Sequence, residues 1–464
     1  MKPPPAPDTI FVKLFPTDLV IPAASCAAMW QVEVNFVTRT LKKLPGAGGF
    51  RVPQWYFVQW STDAAALESQ DKKHQACEAP RCVILMEAMT DPAKPFDILT
   101  GMPVEHAIRA AKDLASLHAP YWGWTHGRYR AEKGQHGALK FEGYGHIEDA
   151  GKKQAIQGLF MMGAKMGLEI FGSDGHLLKD ESFEEERLKF KGYFELWQYW
   201  SAEVWPLLER RWKAVLAHWE SIPATLIHGD CHVENMFCLK DGTNCYIDFQ
   251  AVNLGPGVRD LAWLLTSSLT SEDRRAHEKT VIKAYHQALV ERGAVQNDES
   301  SRPEKPVDME QQQVVNVQSG STTTNAAAKE RSSLISCCTG ATKTSSKVDA
   351  AAATRATTSA VPAEGKYSPE SSSAPPSDTK VYSYEQCWDD YVFMKIHGLW
   401  AGALGGGLFA GTNYHAKTGI FAPEQADDAI LERERNSVLF SRIVDDLRHS
   451  EWPAMLGRLP EDTL

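Results

Sequence analysis

No two cysteines stand in a CxxC spacing, although the chain carries nine, at 26, 77, 82, 231, 238, 245, 337, 338 and 387. An odd count without regular spacing speaks against a disulfide framework and a thiolate metal site, and for a reducing compartment. No stretch reaches the ~18 uncharged apolar residues that a membrane span requires. The opening Met1-Lys2-Pro3-Pro4-Pro5 lacks the apolar core of a secretory signal, so the expected location is cytoplasmic, away from membranes. Excess positive charge is missing too. The chain has 49 Lys and Arg against 59 Asp and Glu, a net −10, and without a basic face it cannot neutralise a nucleic-acid backbone. Internal repeats are absent.

What remains is rich in apolar surface. Hydrophobic residues make up 43% of the 464 positions, with 14 Trp, enough to build a substantial core. Ile10 to Phe15 reads as a strand with one inward lysine, Lys13, ended by Pro16. Helical spacing of Met29, Val32, Phe36 and Leu41 predicts a helix over Ser25 to Leu41 with Glu33 beside the apolar stripe. Val52 to Gln59 and Cys82 to Glu87 read as two further strands around a polar loop at Asp71 to Glu78. From Pro103 the period turns helical, with His106, Ala110, Leu114 and Leu117 on one face up to Pro120. Trp-rich amphipathic segments run from Phe183 to Trp219. Strands are expected at Thr225 to His228, Met236 to Leu239 and Asn244 to Phe249, the last two as a hairpin about Asp241-Gly242. Helices are expected at Arg259 to Thr266 and Arg274 to Arg292. Residues 295–380 shift to Ser, Thr, Ala, Gln, Lys and Pro, a composition that cannot bury enough apolar surface to fold alone. The amphipathic pattern resumes at Tyr382 to Leu399, making the tract an insertion.

The chemistry concentrates in Leu226 to Gln250. His228-Gly229-Asp230-Cys231-His232-Val233-Glu234-Asn235 is followed by Ile247-Asp248-Phe249-Gln250. Phosphoryl transfer needs a carboxylate to take the attacking hydroxyl's proton and oxygen ligands to hold Mg²⁺ against nucleotide phosphates. Asp230, Asn235 and Asp248 are the right types, with Asp and Asn five positions apart as in a kinase catalytic loop. Taken singly, each is more often a turn former or cap. His228 and His232 with Cys231 or Cys238 would suit zinc, but the segment reads as strand and loop and no CxxC completes the set.

The string HGDxHxxN, then IDFQ, then GPGxxDLA resembles the signature of the aminoglycoside phosphotransferase and choline kinase superfamily, nearest to its ecdysteroid kinase-like branch. The resemblance implies an α+β, bilobal, protein-kinase-like fold: a small β-rich N-lobe, truncated here, and a larger, mainly helical C-lobe with a catalytic hairpin. It implies domains at 1–90 (N-lobe), 91–294 (C-lobe), 295–380 (disordered insertion) and 381–464 (C-lobe continuation). It also implies Asp230 as catalytic base, His228 as buttress of its loop, Asn235 and Asp248 as Mg²⁺ ligands, and Asp260 as a supporting aspartate. Lys13 resembles the phosphate-binding lysine, and Glu33 its helix partner. Met86, Glu87 and Met89 in Val83 to Met89 resemble the hinge strand that meets the adenine of ATP. Leu114 to Trp122 matches a helix ending in LAxLHAxxW, where His118 is expected to pack and cap the helix end.

Only twelve residues precede Lys13, so the first hairpin and its phosphate-covering loop are missing from the expected N-lobe. Gly402 to Gly411 fits neither GxGxxG nor a Walker pattern and reads as helix packing or a helix break. The implied activity is ATP-dependent phosphorylation of a small-molecule alcohol, with a catalytically impaired nucleotide-binding protein as the alternative. Trp197, Tyr199, Trp200 and Trp205 either fill the core or line an apolar or cationic pocket.

Overall fold

The computed structural model describes residues 9–14, 30–41, 49–61, 81–89, 94–123, 191–296, 381–398, 414–415, 420–421 and 427–461. The loop at Asp71 to Glu78, the tract 297–380 and the glycine run Gly402 to Gly411 lie outside them.

Three antiparallel strands form the first sheet in the order β1 (Ile10–Leu14), β3 (Arg81–Glu87), β2 (Trp55–Ser61). Pro53 cannot donate to a ladder, and β2 accordingly starts at Trp55 rather than Val52. The alternation of β1 turns Lys13 inward, while Ile10, Val12 and Leu14 face out and are exposed. Helix α1 (residues 30–41) lies on the inner face, where Trp30 and Val34 pack with Cys82 and Ile84. Its second half, Phe36–Thr40, is a π-turn. One extra residue per turn rotates the buried face. Of the expected stripe, Phe36 is buried, Val32 and Leu41 are half-buried and pack against the core, and Met29 lies outside the described residues; Glu33, Val34, Val37 and Thr40 are buried beside them.

Helix α2 (Val104–His118) follows the short strand β4 (Lys94–Pro95) and buries the predicted Ala110, Leu114 and Leu117. The Trp-rich region is helical as α3 (Lys191–Tyr199), a π-turn (Trp200–Val204), α4 (Trp205–Leu208) and α5 (Trp212–Ser221). Trp197, Tyr199 and Trp200 are at most 1% exposed, so these aromatics build the core rather than a pocket wall. The expected hairpin is β6 (Met236–Cys238) with β7 (Asn244–Tyr246), and β4 pairs along its outer edge. Its second strand stops at Tyr246, because Asp248 takes a left-handed conformation with φ of 63°. The strand β5 (Ala224–Ile227) has a partner that the periodicity did not announce, β8 (Asn253–Pro256). Four residues containing Gly and Pro carry little strand signal, and only the ladder to β5 makes them extended.

Helices α6 (Gly257–Ser268), α7 (Ser271–Glu291), α8 (Tyr384–Met394), α9 (Asp427–Arg448) and α10 (Trp452–Arg458), with a small antiparallel pair β9 (Tyr414–His415) and β10 (Ile420–Phe421), complete the described fold. Among the described residues, no helix is long and apolar enough to cross a membrane. The helices meet on a buried ionic cluster. Asp446 of α9 receives Lys395 Nζ at 2.6 Å, Arg274 Nε of α7 at 3.0 Å and the hydroxyl of Thr266 of α6. Lys395, just past α8, also reaches Glu278 of α7 at 2.8 Å. Burial alone would raise the Asp446 carboxyl, but Lys395 and Arg274 more than offset it and hold it below the usual carboxylate range.

Replacing Asp446 by Ala leaves two buried cations short of a partner and should cost about 3–5 kcal/mol, read as a lower urea midpoint. Because the Asp446 carboxyl is depressed on folding, its contribution is complete above the ordinary carboxylate pKa and fades as pH falls through the folded value. The gap between native protein and variant should therefore close on acidification.

Candidate active site

Three segments distant in sequence converge on one lysine. Lys13 Nζ lies 2.8 Å from Glu33 Oε2 of α1 and 3.2 Å from Asp248 Oδ1 after β7. The lysine is 7% exposed, Glu33 0% and Asp248 9%. Burial alone would lower the ammonium's pKa, but Asp248 and Glu33 together more than offset it and hold the lysine charged. Trp30 lies under the ammonium at 5.0 Å, adding a cation–π contact. Phe249, next to Asp248, stacks on Phe36 of α1 at 4.6 Å and meets the His228 ring at 5.0 Å. Apolar packing therefore joins the helix of Glu33 to the segment that follows the β6–β7 hairpin.

Asp230 follows β5 on a loop anchored from α6. Asp260 accepts from the backbone N–H of His228 at 2.7 Å and of Gly229 at 2.9 Å. Gly229 has φ of +85°, and a Cβ there would run into the Ala251 carbonyl, so only glycine makes this turn. His118 Nε2 donates to the same carboxylate at 3.2 Å, while its Nδ1 takes the Tyr285 hydroxyl at 2.8 Å. His118 thus links α2, α6 and α7, beyond the packing and capping role expected of it. His228 is fully buried, and burial pushes its imidazole below the usual value despite the carboxylates nearby. Its Nδ1 accepts from Asp230 N–H at 3.4 Å, which leaves Nε2 to donate to the Ile247 carbonyl at 3.0 Å. It therefore buttresses both the Asp230 loop and the approach to Asp248.

The Asp230 side chain is 44% exposed. Trp263 Nε1 donates to its Oδ1 at 3.0 Å, and Asn235 Nδ2 reaches Oδ2 at 3.3 Å and the Asp230 carbonyl at 2.9 Å. Desolvation would raise this carboxyl, but His232 and the Trp263 donor outweigh it and keep Asp230 ionised. With its amide nitrogen turned to Asp230, Asn235 directs its Oδ1 the opposite way.

Residues 178–296 match the profile of the Ecdysteroid kinase-like family. This segment is similar to that family. Its boundaries enclose His228, Asp230, Asn235, Asp248, Asp260 and Trp263, whereas Lys13, Glu33, Met86, Glu87 and Met89 lie outside; of these, the fold brings Lys13 against Asp248 with Glu33 beside it. An aminoglycoside phosphotransferase from Alicyclobacillus acidocaldarius is similar at 17% identity over 62% of this chain and 69% of that one, with a TM-score of 0.31. The aminoglycoside phosphotransferase APH(3'')-Id from Streptomyces rimosus, solved with ADP and streptomycin, is 14% identical over 61% and 86%, at 0.31. A microcompartment-associated aminopropanol kinase is 14% identical over 61% and 68%, at 0.25. Among curated proteins, none matches the chain in sequence.

Around the matched segment, the expected hinge residues divide. Met86 is buried in β3 and Met89 packs against Phe237 and Cys245 of the hairpin. Glu87 instead braces the entry to β2: its carboxylate accepts Gln54 N–H at 3.0 Å and its own N–H is taken by the Gln54 carbonyl at 2.8 Å. Trp263 and Tyr285 escaped the sequence reading. The only signal for Trp263 was its place three residues after Asp260, on the same helix face.

Replacing Lys13 by Met strands Glu33 and should destabilise by about 3 kcal/mol. Adding Glu33→Leu should recover part of that loss, as chemical denaturation of the native, single and double variants would show.

Proposed function

We propose that the chain is an ATP-dependent phosphotransferase acting on a hydroxyl of a small molecule. The observation carrying this reading is the buried Lys13, held by Glu33 on one side and Asp248 on the other, next to a loop that presents Asp230 and Asn235. In this reading the sheet β1–β3–β2 belongs to the small lobe of a bilobal kinase-like fold, and the helices from α2 onward form the large lobe.

The donor set fits Mg²⁺. Asn235 Oδ1 and the Asp248 carboxylate are hard oxygen ligands, and Mg²⁺ at nucleotide sites is typically held by one or two such groups together with phosphates. Bound Mg²⁺ would neutralise phosphate charge as it transfers.

The remaining work falls to the chain's own side chains. Lys13 presents a fixed positive charge to the nucleotide phosphates, and Glu33 stops its ammonium from swinging away. Met86, Glu87 and Met89 border the adenine position. Asp230, ionised and part-exposed, takes the proton of the acceptor hydroxyl as its oxygen attacks. His228 and Asp260 keep the Asp230 loop from moving during that transfer. The acceptor is a small alcohol, and the chain's acidity fits a role away from nucleic acid and membranes, in the cytoplasm.

Mg·ATP should raise the Tm, and a panel of alcohols should reveal Mg·ATP-dependent turnover. Asp230→Ala should lower that turnover at least ~10²-fold, the usual scale for a lost general base. An unchanged rate would sink the mechanism, and nucleotide binding without turnover on any acceptor would favour the catalytically impaired alternative.

A further inference from the structure

A general base must hold one oxygen within hydrogen-bonding reach of the hydroxyl it deprotonates. Asp230 has a short side chain that is 44% exposed, and a carboxylate so open to water turns freely unless something grips it. Its Oδ2 is reached by Asn235 at 3.3 Å and lies 3.7 Å from His232 Nε2, but Asn235 is the residue whose Oδ1 the proposed function assigns to Mg²⁺. The firmer hold is on Oδ1, the Trp263 indole N–H at 3.0 Å.

Trp263 is built not to move. It is 8% exposed, and two imidazoles stand edge-on to its ring, His232 at 6.4 Å and His397 at 5.9 Å. His397 is itself tied to α6, accepting from Arg259 Nε at 3.3 Å. Asp260 and Trp263 lie three residues apart on α6 and so share a face. One grips the backbone of His228 and Gly229, and the other grips the side chain of the next residue. Indole also suits the task chemically, because it donates a hydrogen bond, accepts none and has no proton to surrender to a base.

Resting on the phosphotransferase reading, we propose that Trp263 is the positioning residue of the general base, aiming the Asp230 carboxylate so that Oδ2 meets the acceptor hydroxyl. Asp260 and Trp263 then make α6 a two-point mount for Asp230.

The contact and its consequence are measured separately. In a ¹⁵N–¹H spectrum of the 14 indoles, the Trp263 resonance is the one missing from Trp263→Phe, with Trp263→Tyr as a second variant should the first fold poorly. It should move in Asp230→Ala while the other indoles keep their positions; a stationary Trp263 resonance would overturn the inference. For the consequence, hydrolysis of Mg·ATP with water as acceptor serves as the probe. Trp263→Phe should lower kcat about tenfold or more, since small misplacements of reacting groups are costly, with KM for Mg·ATP within twofold of native and an unchanged Mg·ATP effect on Tm. An active native protein with an equally active Trp263→Phe would overturn the inference and leave the proposed function standing. A native protein that turns over no Mg·ATP, even with the resonance displaced, would overturn the base assignment and the positioning role with it.

Discussion

Lys13 is the constraint on which the site's architecture turns. A buried ammonium with a single partner is costly, and desolvating three charged groups is tolerable only if all three meet at contact distance. Glu33 and Asp248 satisfy it from segments 20 and 235 residues away. The pairing therefore docks the small sheet and α1 onto the end of the β6–β7 hairpin, and Phe36 stacked on Phe249 supplies the apolar counterpart of the same joint. The left-handed Asp248 fits this picture. A non-glycine residue held at φ of 63° persists only where its surroundings over-determine it.

Helix α6 organises the other half of the site. Through Asp260 it satisfies two loop N–H groups that have no strand partner, and through Arg259 it reaches the Gly229 carbonyl at 3.2 Å. The same helix is fixed from behind by the ionic cluster around Asp446, where Thr266 joins α7, α8 and α9. Helices from beyond residue 380 thus bear indirectly on the placement of Asp230, as does Arg435 of α9, whose guanidinium lies 3.3 Å from Glu234 in the loop.

Much of this was legible in the sequence because it is local. Asp230, Asn235 and Asp248 stand in a spacing that a strand, a short turn and a hairpin convert directly into proximity. The hairpin carries its own Asp-Gly turn, and α2 carries an unbroken helical period. Lys13 and Glu33 were found by pattern and order, and the structure brings them together. The features that escaped are those that only tertiary contact decides. The π-turn shifts the buried face of α1 without any mark in the apolar spacing. Strand β8 exists because β5 needs a partner, and its own residues favour a turn. His118 and Tyr285 are 167 positions apart, and Trp263 looks like one more core aromatic until Asp230 is placed beside it.

In the proposed function, Lys13, Asn235 and Asp248 enclose a site for a nucleotide and its magnesium ion. Calorimetric titration of ADP into the native protein, with and without Mg²⁺, and into Asp248→Asn reads this out. Mg²⁺ should tighten ADP binding at least ~10-fold in the native protein, on the scale of one charge-assisted ligand contact, and this gain should disappear in the variant. Native binding that is indifferent to Mg²⁺, or a variant that keeps the full gain, would contradict it.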